Sequence, residues 1–193
     1  MLWATLMRGQ DVPPSDSQAK SDDPPCGMIY GKNHFLSICA PSGWTFDNSI
    51  LVSQGIYATF YREAFTFKEA VAWHTIMYVN VETKGEGQQN ATELMKLDAE
   101  KTRRASPKLV LQHGSLIVIP GDKGTTAITV PVQSFLNGYQ GSNETVAYIE
   151  NDKTIVMVVI SSVSNELLQK DYPDFVKLVQ SYRFFSSNVT ITH

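Results

Sequence analysis

The residues from which this chain could build chemistry are four histidines, two cysteines and scattered carboxylates and hydroxyls. Their spacing fits none of the common catalytic constellations. His34, His74, His113 and His193 show no HExxH or other paired spacing, so a metal site would have to be assembled from distant strands. Each is read as structural or exposed. No serine lies in a GxSxG elbow, and neither cysteine reads as a nucleophile. Gly85 to Asn90, GEGQQN, stands between a strand and a helix, where a dinucleotide loop would lie. Asn90 replaces the third glycine and the preceding strand alternates, so a flexible polar loop is the better reading. Gly121 to Thr126, GDKGTT, has the composition of a phosphate loop but not its order, and reads as a hairpin turn. Arg103 and Arg104, with Lys101 and Lys108, could hold an anion; a solvated helix end explains them as well. No catalytic, cofactor-binding or metal-ligating residue is expected.

The cysteines are more informative. In CGMIYGKNHFLSICAP a hairpin bends over Gly31 to His34. If Tyr30 faces Phe35, Cys26 lies directly across from Cys39, within disulfide range. A disulfide implies an oxidising compartment; the alternative is two small buried thiols in a reducing one. The binding candidates are five aromatics and one leucine on two stretches read as loops. Arg62 to Trp73 carries Phe65, Phe67 and Trp73, and Ser134 to Ser142 carries Phe135, Leu136 and Tyr139. Such side chains either anchor a partner or fold back over a sheet edge.

The elements that must position these residues centre on Glu144 to Phe185, which predicts strand, turn, strand and helix. Ile155 to Ile160 runs six apolar residues without a polar break. An unbroken run marks a strand covered on both faces rather than one with a wet face. With Asn151-Asp152 at the turn, Tyr148 faces Ile155 and Val146 faces Met157. A helix over about Asp171 to Tyr182 places Tyr172, Phe175, Val176, Val179 and Tyr182 on one stripe. Upstream, Trp44 to Phe46 pairs with Ile50 to Tyr61, and His74 to Glu82 alternates as a strand. Asn90 with Glu93 opens a helix from Ala91 to Ala105. Short β segments follow at Leu109–Gln112, Leu116–Ile119 and Thr126–Ser134. These elements predict an α+β protein, a three-layer α/β/α sandwich around a central antiparallel sheet.

A chain of 193 residues with 16 basic and 19 acidic side chains carries a net charge of −3. Residues 1–25 hold Arg8 and Lys20 against Asp11, Asp16, Asp22 and Asp23, so the remainder is nearly neutral. That argues against nucleic acid and against a polybasic membrane contact. No apolar stretch approaches the roughly 20 residues of a spanning helix. Leu2 to Met7 followed by a Pro, Ser and Asp-rich run reads as a signal-peptide remnant and disordered linker over 1–25. The domain is expected over 26–186 and a tail over 187–193.

Pro41-Ser42-Gly43-Trp44 after a short strand, a mid-chain helix, and a strand–turn–strand–helix closing on Ser181-Tyr182-Arg183-Phe184 resemble the PsbP-like fold family. The resemblance covers about residues 34–186 and points to its bacterial secreted branch. Asp22-Asp23-Pro24-Pro25 before Cys26 is no lipobox, which disfavours a lipoprotein. The resemblance implies an α/β/α sandwich and a non-catalytic binding or accessory role. The expectation is a secreted or periplasmic monomer without cofactor that binds a protein or small ligand. The alternatives are a hydrolase or ligand-processing domain with a cleft between helix 91–105 and the sheet, and a cytoplasmic partner binder. A histidine clustered with a carboxylate in a concave pocket would favour the hydrolase; a flat apolar patch of Phe65, Phe67, Phe135 and Tyr139 would favour binding.

Overall fold

A computed structural model describes residues 25–85, 90–121 and 126–189. The expected signal remnant, most of the two glycine-bearing loops and His193 lie outside the described residues. In chain order the elements are β1 (Cys26–Gly31), β2 (His34–Cys39), β3 (Trp44–Asp47), β4 (Ile56–Arg62), α1 (Phe67–Trp73), β5 (Thr75–Thr83) and α2 (Ala91–Ala105). There follow β6 (Val110–His113), β7 (Ile117–Ile119), β8 (Ile128–Val130), β9 (Val132–Leu136), β10 (Asn143–Glu150), β11 (Thr154–Ser162), α3 (Asn165–Gln180) and β12 (Arg183–Ser186).

Seven strands form the main sheet in the order β3-β4-β5-β11-β10-β9-β6, and all its pairings are antiparallel. β11, which carries the apolar run, is bracketed by β5 and β10. Its even residues Val156, Val158 and Ile160 join one apolar cluster with Phe175, Leu178 and Val179 of α3. Its odd residues Ile155 and Val159, with Met157 beside them, join a second cluster with Ala91, Leu94 and Ala99 of α2. A side-chain period of two therefore delivers the run to two dry layers. Each fully buried residue of that kind contributes about 1.5–3 kcal/mol. The layer holding α3 also holds two small sheets, β1-β2-β12 and β7-β8.

The β1–β2 hairpin has the expected register, with Cys26 opposite Cys39 and Tyr30 opposite Phe35, and the two cysteines are disulfide-bonded. Gly27 lets this hairpin lie on the sheet layer, because a Cβ there would meet the Phe46 ring at 1.8 Å. Trp44 is fully buried and its indole N–H donates to Asp174 of α3 at 3.1 Å. Arg62 sits 4.5 Å over the same ring and bridges Asp171 and Asp174. These contacts pin the β3–β4 edge to α3.

Four expectations are corrected. Arg62 to Trp73 is not a loop: Phe67–Trp73 is helix α1, opened by a capping box in which Glu69 N–H donates to Thr66 Oγ1 and Thr66 N–H to Glu69. Thr66-Phe67-Lys68-Glu69 carries that signature in the sequence. The last helix begins at Asn165, six residues before the expected start, with Ser164 accepting from the Leu167 N–H. Pro173 looks like a first-turn residue but lies inside the helix. The β10–β11 turn falls at Asp152-Lys153, so Tyr148 faces Met157 and Val146 faces Val159. Moving the bend by one residue shifts the pairing by two, which leaves every side chain on its expected face. Finally, 126–134 is two strands of different sheets, β8 and β9, broken at Pro131, where a missing N–H interrupts the ladder.

Candidate functional site

The face of the sheet under α1 and α2 carries two concavities. The first is a cleft of about 350 Å³ between α2 and the sheet, walled by Asp98, Lys101 and Thr102 of α2 and floored by Tyr78, Phe135, Glu144, Val146, Tyr148 and Met157. The second, about 370 Å³, lies beside α1 and is lined by Ala70, Val71, His74, Ile76, Ser161 and Val163 among others. Glu144 and Tyr139 line both.

Asp98 lies on the stripe that α2 turns to the sheet, in phase with Leu94 and Met95 and flanked by Ala99. It accepts a hydrogen bond from the Tyr148 hydroxyl at 3.0 Å. Burial raises its carboxyl above the ordinary value, opposed by that bond and by the Lys101 charge. Glu144 lies in phase with Val146 and Tyr148 on β10. It accepts from the Tyr78 hydroxyl at 3.5 Å and from the Ser161 side chain. Burial raises its carboxyl too, against those two bonds. Both phenols are pushed far up, by burial first and by the neighbouring carboxylates second. They act as hydrogen-bond donors at any physiological pH. The N-terminus of α2 is tied down by Glu150, which accepts from the Ala91 N–H at 3.0 Å and pairs with Lys84 at 2.7 Å.

Tyr139 stands on the rim, 65% exposed. Its loop is held by left-handed backbone at Asn137, Gln140 and Gly141 (φ 53, 54 and 81°) and by a Gly138 N–H to Ser142 oxygen bond of 2.7 Å. Asn and Gly tolerate that region, which is why the turn sits here.

The six aromatic and apolar candidates separate. Phe65 stacks on the His74 ring at 3.8 Å, and Phe67 sets its edge to Tyr61 at 5.8 Å. Trp73 ends α1 and is 72% exposed. Phe135, on β9 rather than in a loop, is 4% exposed and forms part of the cleft floor. Leu136, next along the strand and half-buried, points to the opposite face. Tyr139 and α1 are brought together across the second concavity. The surface is two linked hollows, not a flat apolar patch.

Tyr78, Asp98, Glu144 and Tyr148 were not singled out by sequence reasoning. The signal for Asp98 and Glu144 was a carboxylate in phase with a buried stripe, on a helix and on a strand respectively. His74, Ser161, Ser162 and Glu144 share the second hollow. The His74 ring is stacked on Phe65, and the Ser162 hydroxyl donates to the His74 main-chain oxygen at 3.4 Å. Among the described residues no group of three or more His, Cys, Asp or Glu side chains could hold a metal ion.

Helices over both faces of a large antiparallel sheet define a mixed α+β protein with a cleft on one helical face. Among solved structures, the solution structure of cyanobacterial PsbP (CyanoP) from Synechocystis sp. PCC 6803 is similar over 89% of this chain and 99% of that one, with 10% identity and a TM-score of 0.53. The chain has the PsbP-like fold. The Ran-binding protein Mog1p of Saccharomyces cerevisiae aligns over 83% of this chain and 95% of its own, at 10% identity and a TM-score of 0.44. No protein-family model and no curated protein sequence matches the chain.

Proposed function

We propose that this protein works by binding, as a non-catalytic accessory component of the cell envelope or extracellular space, and that its ligand enters the cleft under α2. The observation that carries this reading is the 350 Å³ concavity itself, which mixes an apolar floor with a few convergent polar groups, the composition of a ligand site. The PsbP-like fold supports an accessory role by analogy only. The Cys26–Cys39 disulfide supports an oxidising location.

A fragment set containing cations, anions and neutral molecules, titrated into isotope-labelled protein, tests the reading. Amide shifts should converge on Asp98, Lys101, Tyr139 and Glu144. Shifts that converge on the α3 side, or no binding at all, would contradict it.

A second reading, a ligand-processing enzyme, draws on His74 and Glu144 lining one hollow. Its test is turnover of ester or amide probes that is abolished by His74→Ala. The hydroxyl of Ser161 is given to Glu144 and not to the His74 ring, which favours the binding reading, because a general base must reach its nucleophile by a hydrogen bond.

A further inference from the structure

We infer that the joined hollows form a recognition site for an organic cation, with the ligand's ammonium group seated on Glu144 and its apolar or aromatic body lying in the α2 cleft. The inference rests on the cleft being the binding site.

It follows from how the charges in the cleft are balanced. Asp98 has Lys101 on its own helix to offset it. Among the described residues Glu144 receives two hydroxyl donors, from Tyr78 and Ser161. Among the described residues it forms no salt bridge. A carboxylate drawn out of water without a cation is costly, and an incoming cation removes that cost. The surroundings suit such a ligand. Tyr78 presents aromatic surface beside the two carboxylates, backed by the fully buried Tyr148, while Phe135 and Met157 add apolar floor and Tyr139 stands on the rim. Aromatic faces beside a carboxylate attract ammonium groups through both charge and ring quadrupole. Glu144 is shared by both hollows, so the ammonium can be reached from either side, and a substituent can extend toward α1.

The test uses the full chain and three probes of one shape: benzylammonium, benzyl alcohol and benzoate, each titrated calorimetrically and by amide shifts at pH 7. The cation should bind about tenfold or more tightly than the alcohol, and benzoate least. Glu144→Gln, which keeps the acceptor for Tyr78 and Ser161, should remove that preference while the alcohol binds as before. Asp98→Asn, whose charge is already offset, should change it less. Acidification should weaken the cation as Glu144 protonates. The charged and titratable groups facing it are Tyr78, Tyr148, Asp98, Lys101, His74 and Tyr139. Asp98→Asn and His74→Ala variants that retain the pH dependence assign it to Glu144.

Equal binding of cation and alcohol, tighter binding of benzoate, or an unchanged preference in Glu144→Gln overturns the inference. If Glu144→Gln does not fold, the wild-type probe order decides alone. Binding of neutral or anionic fragments in the cleft, with no preference for cations, would sink this inference and leave the proposed binding function standing. Absence of any ligand in the cleft would sink both.

Discussion

The hydroxyl of Tyr78 donates to Glu144 across 3.5 Å, and burial nonetheless holds that carboxyl above its ordinary value of 4.5. The hydrogen bonds are outweighed by desolvation, so the group is more easily protonated in the folded state than in the unfolded one. An acid whose folded pKa is raised binds its proton more tightly when folded. Its effect on stability is therefore most favourable at low pH, and is lost as pH rises from 4.5 through the folded value.

The first prediction follows from that sign. Glu144→Gln should have a higher Tm than wild type at pH 7, each 1 kcal/mol gained being worth about 2–4 °C for a chain of this size, and the gain should vanish near pH 4. Asp98→Asn should behave the same way, because burial raises its carboxyl too. Thermal melts across pH 4–8 check this. A lower Tm for both variants at pH 7 would show that the carboxylates are structural. A gain in stability would fit a site that retains costly charges for what it binds.

The disulfide closes a loop with a sequence separation of 13. Cross-linking so short a loop restricts the unfolded chain by about 3 kcal/mol in the entropy model. A Cys26→Ser, Cys39→Ser double variant should lose close to that in chemical denaturation, and reductant should lower wild-type stability without affecting the variant.

The hairpin carrying that disulfide rests on Phe46 through Gly27. Gly27→Ala should cost about 1–3 kcal/mol by overpacking, since the new methyl would meet the ring at 1.8 Å. Adding Phe46→Leu should recover part of the loss, and denaturation midpoints of the two single variants and the double variant measure the coupling. Additive losses would contradict the contact.

Much of this architecture was legible in particular residues. The Ile155 to Ile160 run announced a strand dry on both sides, and its alternating residues do enter two clusters. Asn90 and Glu93 announced α2, whose ends are as expected. The misses are local and physical. Thr66 and Glu69 hold the capping signal for α1, but they stand among Phe65, Phe67 and Trp73, whose pattern resembles an aromatic loop. Pro173 masked the first turns of α3. The cleft was harder to see, because Asp98 and Glu144 are ordinary charges until the pairing of α2 with β10 brings them to one hollow. That juxtaposition depends on tertiary contacts no local pattern encodes.

Thr102 is half-buried and lines the cleft from α2, so Thr102→Trp places an indole where the ligand's body would lie. The most direct test is to repeat the fragment titration on this variant beside wild type, with a melt to show that it folds. Fragments that shift Glu144 and Tyr139 in wild type should leave a folded Thr102→Trp protein unperturbed. Undiminished binding with the same shifts would contradict the assignment of the cleft as the binding site.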